Sequence, residues 1–178
     1  MNPRLLITVS SVVLLGSVAF GALEPDAAEP TVVDPMDNAD NFFHVGEHAL
    51  VGTEDGVVTL GKADPNTDAF VRWAIPRSTP VPIEEGPRIE IDIAELRGGA
   101  ELEVRVQFVG EANADLGYHL WEERVGNPGT IVLEDLNVFA DKNEVAGPEA
   151  VRLLLRHKGN PNGIVVIDEI RFLPVADN

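Results

Sequence analysis

The stretch GIVVIDEIRFLP, residues 163–174, is the most strand-like in the chain, and it has a carboxylate in its middle. Successive side chains of a strand point to opposite faces. Regular alternation puts Ile164, Val166, Asp168, Ile170 and Phe172 on one face, and Val165, Ile167, Glu169, Arg171 and Leu173 on the other. Glu169 and Arg171 mark the second face as the wetter one, so Asp168 is expected on the drier face, flanked by Val166 and Ile170. A lone buried carboxylate is costly unless it is neutralised, paired or bound to a metal. The open alternatives are a bound metal ion, a structural role accepting backbone N–H groups or pairing with an Arg, and a bulge that turns Asp168 outward.

The same period of two recurs upstream. RIEIDI (88–93) sets Ile89, Ile91 and Ile93 against Arg88, Glu90 and Asp92. After a short AELRGGA connection, ELEVRVQFV (101–109) sets Leu102, Val104, Val106 and Phe108 against Glu101, Glu103, Arg105 and Gln107. Strict alternation means a strand with one dry and one wet face. GVVTLG (56–61), DAFVRWAI (68–75), LGYHLWEE (116–123) and GTIVLED (129–135) are further strands, separated by clusters of Pro, Gly, Asn and Asp. GPEAVRLLLRHKGN (147–160) fits a helix opened by Pro148 and closed by Gly159, but Val151, Leu153 and Leu155 also alternate with Arg152 and Arg156. The surrounding strands favour strand here. Many short strands at this spacing predict an all-β chain: a single antiparallel β-sandwich of jelly-roll type.

The ends read differently. Arg4 followed by the apolar run LLITVSSVVLLGSVAF (5–20), with small residues before Gly21, predicts a signal peptide over 1–21. The run is short for a membrane span, so no permanent span is expected. Residues 22–36, rich in Ala, Pro and acids, read as a disordered leader, and the sandwich is expected over 37–175. With no cysteine, disulfides, thiolate metal sites and a lipoprotein anchor are excluded. The expected location is secreted or periplasmic.

The formal net charge is −17; removing residues 1–21 takes one Arg, leaving 12 Lys+Arg against 30 Asp+Glu, or −18. Such an acidic protein repels nucleic acid and anionic lipid. It fits equally an acidic secreted protein and one working in high salt.

Catalytic motifs are few. HVGEH (44–48) matches the H-x-x-E-H zinc-peptidase pattern, which needs a helix to bring both His to one metal. Gly46 and the aperiodic flanks argue against that helix. Ser78 is the only serine after residue 21, with no nucleophile elbow around it, and no glycine-rich loop lies between a strand and a helix. Acid pairs such as Glu84-Glu85 and Glu122-Glu123 are solvated surface in so acidic a chain. No catalytic residues are assigned.

The order DNADNFF (37–43), GVVTLG, a strand ending in VRW, the pair RIEIDIAEL and ELEVRVQFVG, and finally VRLLLRHKGNPNGIVVIDEIRF resembles the galactose-binding-domain-like jelly roll of non-catalytic carbohydrate-binding modules. The resemblance implies a structural calcium, held by the Asp of IDEI (Asp168), by a loop near the start of the domain and by backbone carbonyls. Asp37, Asp40 and Asn41, with Asn38, form an oxygen-rich cluster suited to that ion. Sugar binding needs aromatic faces for pyranose C–H groups and planar polar groups for hydroxyls. Trp121, Tyr118 and His119 are the aromatic candidates, and Arg105, Gln107 and Arg152 the polar ones, with Glu103 and Arg156 beside them. Trp73, on one strand face with Val71 and Ile75, reads as core. Aromatics make up only 6% of the chain, so stacking platforms are scarce. The expected function is an exported, non-catalytic module binding carbohydrate. The alternatives are a structural or protein-binding module of the cell exterior and a small carboxylate-based hydrolase.

Overall fold

The computed structural model describes residues 30, 32–43, 46, 49–54, 56–64, 66, 69–73, 79–84 and 87–174. The expected signal peptide, most of the leader, both His of HVGEH and Ser78 lie outside the described residues. The strands are β1 (Val32–Asp34), β2 (Phe42–Phe43), β3 (Ala49–Glu54), β4 (Val57–Lys62), β5 (Ala69–Trp73) and β6 (Val81–Pro82). They continue with β7 (Arg88–Arg97), β8 (Ala100–Val109), β9 (Asp115–Val125), β10 (Gly129–Leu133), β11 (Ala150–Gly159) and β12 (Ile164–Leu173), and one helix, α1 (Leu136–Lys142), follows β10.

The strands form two antiparallel sheets. The first runs β10-β7-β12-β4-β3 with β1 also beside β12; the second runs β2-β5-β11-β8-β9 with β6 also beside β11. The fold is the expected jelly-roll β-sandwich, and residues 150–159 are strand as favoured. Between the sheets lie Ile89, Ile91, Ile93, Ile167 and Phe172 from the first and Leu102, Val104, Val106, Phe108, Leu153 and Leu155 from the second, all essentially buried. Each such side chain contributes about 1.5–3 kcal/mol by leaving water, against the chain entropy lost on ordering.

Several sequence expectations change. AELR is not a connection but the end of β7, and the turn is only Gly98-Gly99. Val32–Asp34, assigned to the leader, pairs with β12, and Met36 is fully buried, so the ordered domain starts before Asp37. The helix α1 was not foreseen. Its local signal is Asp135, whose carboxylate caps it by accepting from the N–H groups of Asn137 and Val138 at 2.8 and 3.1 Å.

The largest correction concerns Asp168, which is exposed. Leu96 pairs with Val165, Ile93 with Ile167, Ile91 with Ile170 and Ile89 with Phe172, so Ala94 and Asp168 are skipped. These adjacent bulges change the phase of both strands. Val165 and Ile167 face the core before the bulge, Ile170 and Phe172 after it, and every one of them is fully buried. Asp168 is thus the residue turned outward to let four apolar neighbours turn in.

Candidate functional site

The carboxylate that is buried near the first strands is Asp34, at 0% exposure and opposite Ile170 in the β1–β12 register. One oxygen accepts from the Met36 N–H at 2.9 Å and the other from the Asn41 side-chain amide at 2.8 Å. The buried, hydrogen-bonded structural role considered for Asp168 is therefore filled by Asp34. Asp37 and Asp40 are exposed, and Asn38 turns its side-chain oxygen to the Asp40 N–H at 2.9 Å. Among the described residues no three His, Asp or Glu side chains form a group able to hold a metal ion. Asp168 outward, Asp37 and Asp40 in water and Asn41 engaged with Asp34 do not fit a calcium cage, which needs six to eight converging oxygens. Chelator is expected to leave the melting temperature unchanged; a rise of several degrees on adding calcium would overturn this.

The predicted sugar-binding residues divide between the two faces of the second sheet. His119 lies opposite Val106, and its ring sits 5.7 Å from that of Phe108, so it faces the core. Trp121 is the extra residue at a bulge between the Arg105–Leu120 and Val104–Glu122 pairs, and it packs against the core cluster. Neither joins the outward face.

Tyr118, Arg105, Gln107 and Arg152 do. Register sets Arg152 beside Gln107 and Gln107 beside Tyr118, while Leu154 lies beside Arg105 and Arg72 beside Leu154. β5 and β9 are three strand spacings apart, about 14 Å in a flat sheet. Yet the Arg72 guanidinium carbon lies 5.2 Å from the centre of the Tyr118 ring. The two side chains lean across the intervening strands and meet, a cation–π contact that bridges the face.

Under and around this bridge, polar groups are left without partners. The Tyr118 hydroxyl, the Gln107 side-chain oxygen and the Arg72 Nε are all buried and lack a hydrogen bond among the described residues. Burial raises the Tyr118 pKa above its ordinary value, which keeps the hydroxyl a donor. The Gly117 N–H at 2.9 Å, and after it the Gln107 side chain, hold Asp115 below the usual carboxylate value.

Further along the same face, Glu103 is 3% exposed. Arg105 Nε and Arg156 Nη1 donate to its Oε1 at 2.6 and 2.9 Å, and Lys158 Nζ donates to its Oε2 at 3.2 Å. Burial alone would raise its pKa; the bonds from Arg105 and Lys158 and the charge of Arg156 outweigh this and bring it from 4.5 to about 2. Lys158 also donates to Glu123 at 2.7 Å. At the other end of the face, beyond the Ala150–Pro82 pair, a cavity of about 650 Å³ opens, lined also by Glu84, Asn137, Pro148 and Glu149. Arg72 and this cavity were missed from sequence. Alternation in AFVRW does put Arg72 on the face away from Val71 and Trp73, but nothing local links β5 to β9.

Among the described residues no helix is long and apolar enough to cross a membrane. No protein-family model matches the chain, and no curated protein matches it significantly. Solved structures do. The CBM22-1–GH10 modules of Clostridium thermocellum endo-1,4-β-D-xylanase 10B, complexed with xylohexaose, align over 83% of this chain and 29% of theirs, with TM-score 0.53 and 10% identity. CBM29_1, a family 29 carbohydrate-binding module from Piromyces equi, aligns over 80% of this chain and 91% of its own, with TM-score 0.51 and 13% identity. A xylan-binding domain from CBM 22 aligns over 86% and 100%, with TM-score 0.50 and 8% identity. At such identities the likeness is one of architecture: the chain has the jelly-roll β-sandwich fold of carbohydrate-binding modules.

Proposed function

We propose that the chain is an exported, non-catalytic module that binds carbohydrate on the outward face of its second sheet, around Tyr118. The observation that carries this is the cluster of unpartnered polar atoms on Tyr118, Gln107 and Arg72. A buried polar group left unpaired costs about 1–3 kcal/mol, and ligand hydroxyls can supply partners that the described residues do not. Sugar hydroxyls both donate and accept, which suits an amide oxygen, a phenol and a guanidinium together. The adjoining cavity has room for further sugar units. The fold shared with carbohydrate-binding modules points the same way.

A protein-binding role is the second reading, favoured by the edge strand β9, which exposes Leu120 and Val125. Glycan arrays and polysaccharide pull-downs separate the two. Tyr118→Ala is expected to weaken glycan binding at least tenfold, about 1.4 kcal/mol, with little change in melting temperature. Trp121→Ala, which removes a side chain packed on the core, is expected to do the reverse. Retention of full affinity by Tyr118→Ala would remove this site from consideration.

A further inference from the structure

The outward faces of the two sheets differ in how their charges are balanced. On the first sheet acids outnumber cations: Arg171 is shared among Glu90 at 2.9 Å, Asp92 at 2.8 Å and Glu169 at 3.2 Å, and Arg88 between Glu90 at 2.7 Å and Glu134 at 3.4 Å. On the second the ratio is inverted, with the single carboxylate of Glu103 shared among Arg105, Arg156 and Lys158. Arg72 lies on this face as well, against a neutral ring rather than an acid. Three acids temper the patch: Glu101 opposite Lys158 in the register, Glu123 through Lys158, and Asp115 under the influence of Arg72 and Arg152. In a chain whose formal charge is −17, this is a local reversal of sign.

Resting on the carbohydrate reading above, we infer that the ligand is an acidic glycan, whose carboxylate or sulfate is taken by Arg72 at the Tyr118 bridge. Arg72 Nε is a buried donor with no acceptor among the described residues, and a guanidinium offers a planar fork that matches an oxyanion. The Gln107 oxygen, on the residue opposite Tyr118, is an acceptor with no donor among the described residues, which a neighbouring sugar hydroxyl supplies. A neutral glycan satisfies the second group and leaves the guanidinium with weaker, uncharged acceptors. A simple anion satisfies the first and leaves Gln107 unpaired. A ligand carrying both hydroxyls and a fixed negative charge satisfies both.

The chain's overall negative charge opposes any polyanion at long range, so the measurement calls for short oligosaccharides and moderate salt. At about 0.15 M ionic strength the Debye length is about 8 Å, and direct contacts dominate. Calorimetric titration of the full chain with an oligogalacturonate, a sulfated galactan oligosaccharide and neutral xylohexaose is expected to show at least tenfold tighter binding for one of the acidic ligands. Which acidic arm binds identifies carboxylate or sulfate. Arg72→Gln is expected to abolish that preference, Arg72→Lys to restore part of it, and Arg171→Gln, on the opposite sheet, to leave it unchanged. Equal binding of neutral and acidic ligands would overturn the acidic-ligand inference and leave carbohydrate binding standing. An acidic preference that survives Arg72→Gln would overturn the assignment to Arg72. Failure of all three ligands, extended to a broad glycan array, would overturn both this inference and the reading on which it rests.

Discussion

Glu103→Gln is expected to lower stability by about 3 kcal/mol, the low end of what losing one partner of a buried charge cluster costs. The low end applies because the three cations are 21–35% exposed and recover some hydration when their carboxylate is gone. For a domain of this size the melting temperature should fall by roughly 10 °C. The pH dependence identifies the cause. The folded-state pKa lies at about 2 against an ordinary 4.5, so between those values the unfolded chain binds the proton and the folded one does not. Glu103 thus contributes stability that is fully present above pH 4.5 and lost as pH falls toward 2; at about 1.4 kcal/mol per pKa unit this comes to roughly 3 kcal/mol. The gap between wild type and Glu103→Gln should therefore narrow steadily as pH is lowered from 5 to about 2.5, measured by urea unfolding. A gap independent of pH would mean that the substitution acts through packing alone.

Gly163→Ala is expected to destabilise by about 3 kcal/mol or to prevent folding, at or above the upper end for overpacking. The reason is the junction it occupies. The β7–β8 and β11–β12 hairpins each cross from one sheet to the other, and at this end their turns nest, with the Asn160 N–H donating to the Gly99 carbonyl at 2.9 Å. A Cβ on Gly163 would stand 2.6 Å from Ala100 N and 2.8 Å from the Arg97 carbonyl oxygen. Those are backbone atoms of paired strands, so they cannot swing aside as a flexible side chain would. Gly159 is tighter still: its φ is +71° and an added Cβ would lie 2.4 Å from the Gly99 oxygen. Gly52→Ala, in β3 with nothing within 4 Å of the new Cβ, is the control and should stay within about 0.5 kcal/mol of wild type. Equal unfolding midpoints for Gly163→Ala and Gly52→Ala would refute the nesting argument.

The longer strands were legible because their signal is local. Ile89-Ile91-Ile93, Leu102-Val104-Val106-Phe108 and Val151-Leu153-Leu155 all alternate as expected, and all face the core. The strands β1, β2 and β6 are two or three residues long, too short for a period of two to show, and the six-residue β3 is not legible either because Ala49, Leu50 and Val51 run without a polar alternation. The candidate site was half legible. Tyr118, Gln107, Arg105 and Arg152 fall on one face because alternation holds through β8 and β11 and from Tyr118 to Leu120, between the two irregularities of β9. His119, one residue from Tyr118, is turned inward by the same alternation, opposite Val106. Trp121 was misassigned because a bulge follows Leu120, and a bulge depends on the partner strand.

What the sequence determined by itself was the class of fold, the main strand boundaries and the separation of dry from wet faces, since each follows from side-chain spacing within a few residues. What only the tertiary structure decided was every property that needs two distant segments at once. Pairing with β7 put paired bulges at Ala94 and Asp168 and so turned the carboxylate of GIVVIDEIRFLP out to solvent. Pairing of β1 with β12 buried Asp34 in its stead. The order β5-β11-β8-β9 let Arg72 reach Tyr118 and gathered three cations on Glu103. Hydrophobic periodicity is written along the chain, whereas the environment of a charge is set by whatever strand lies beside it.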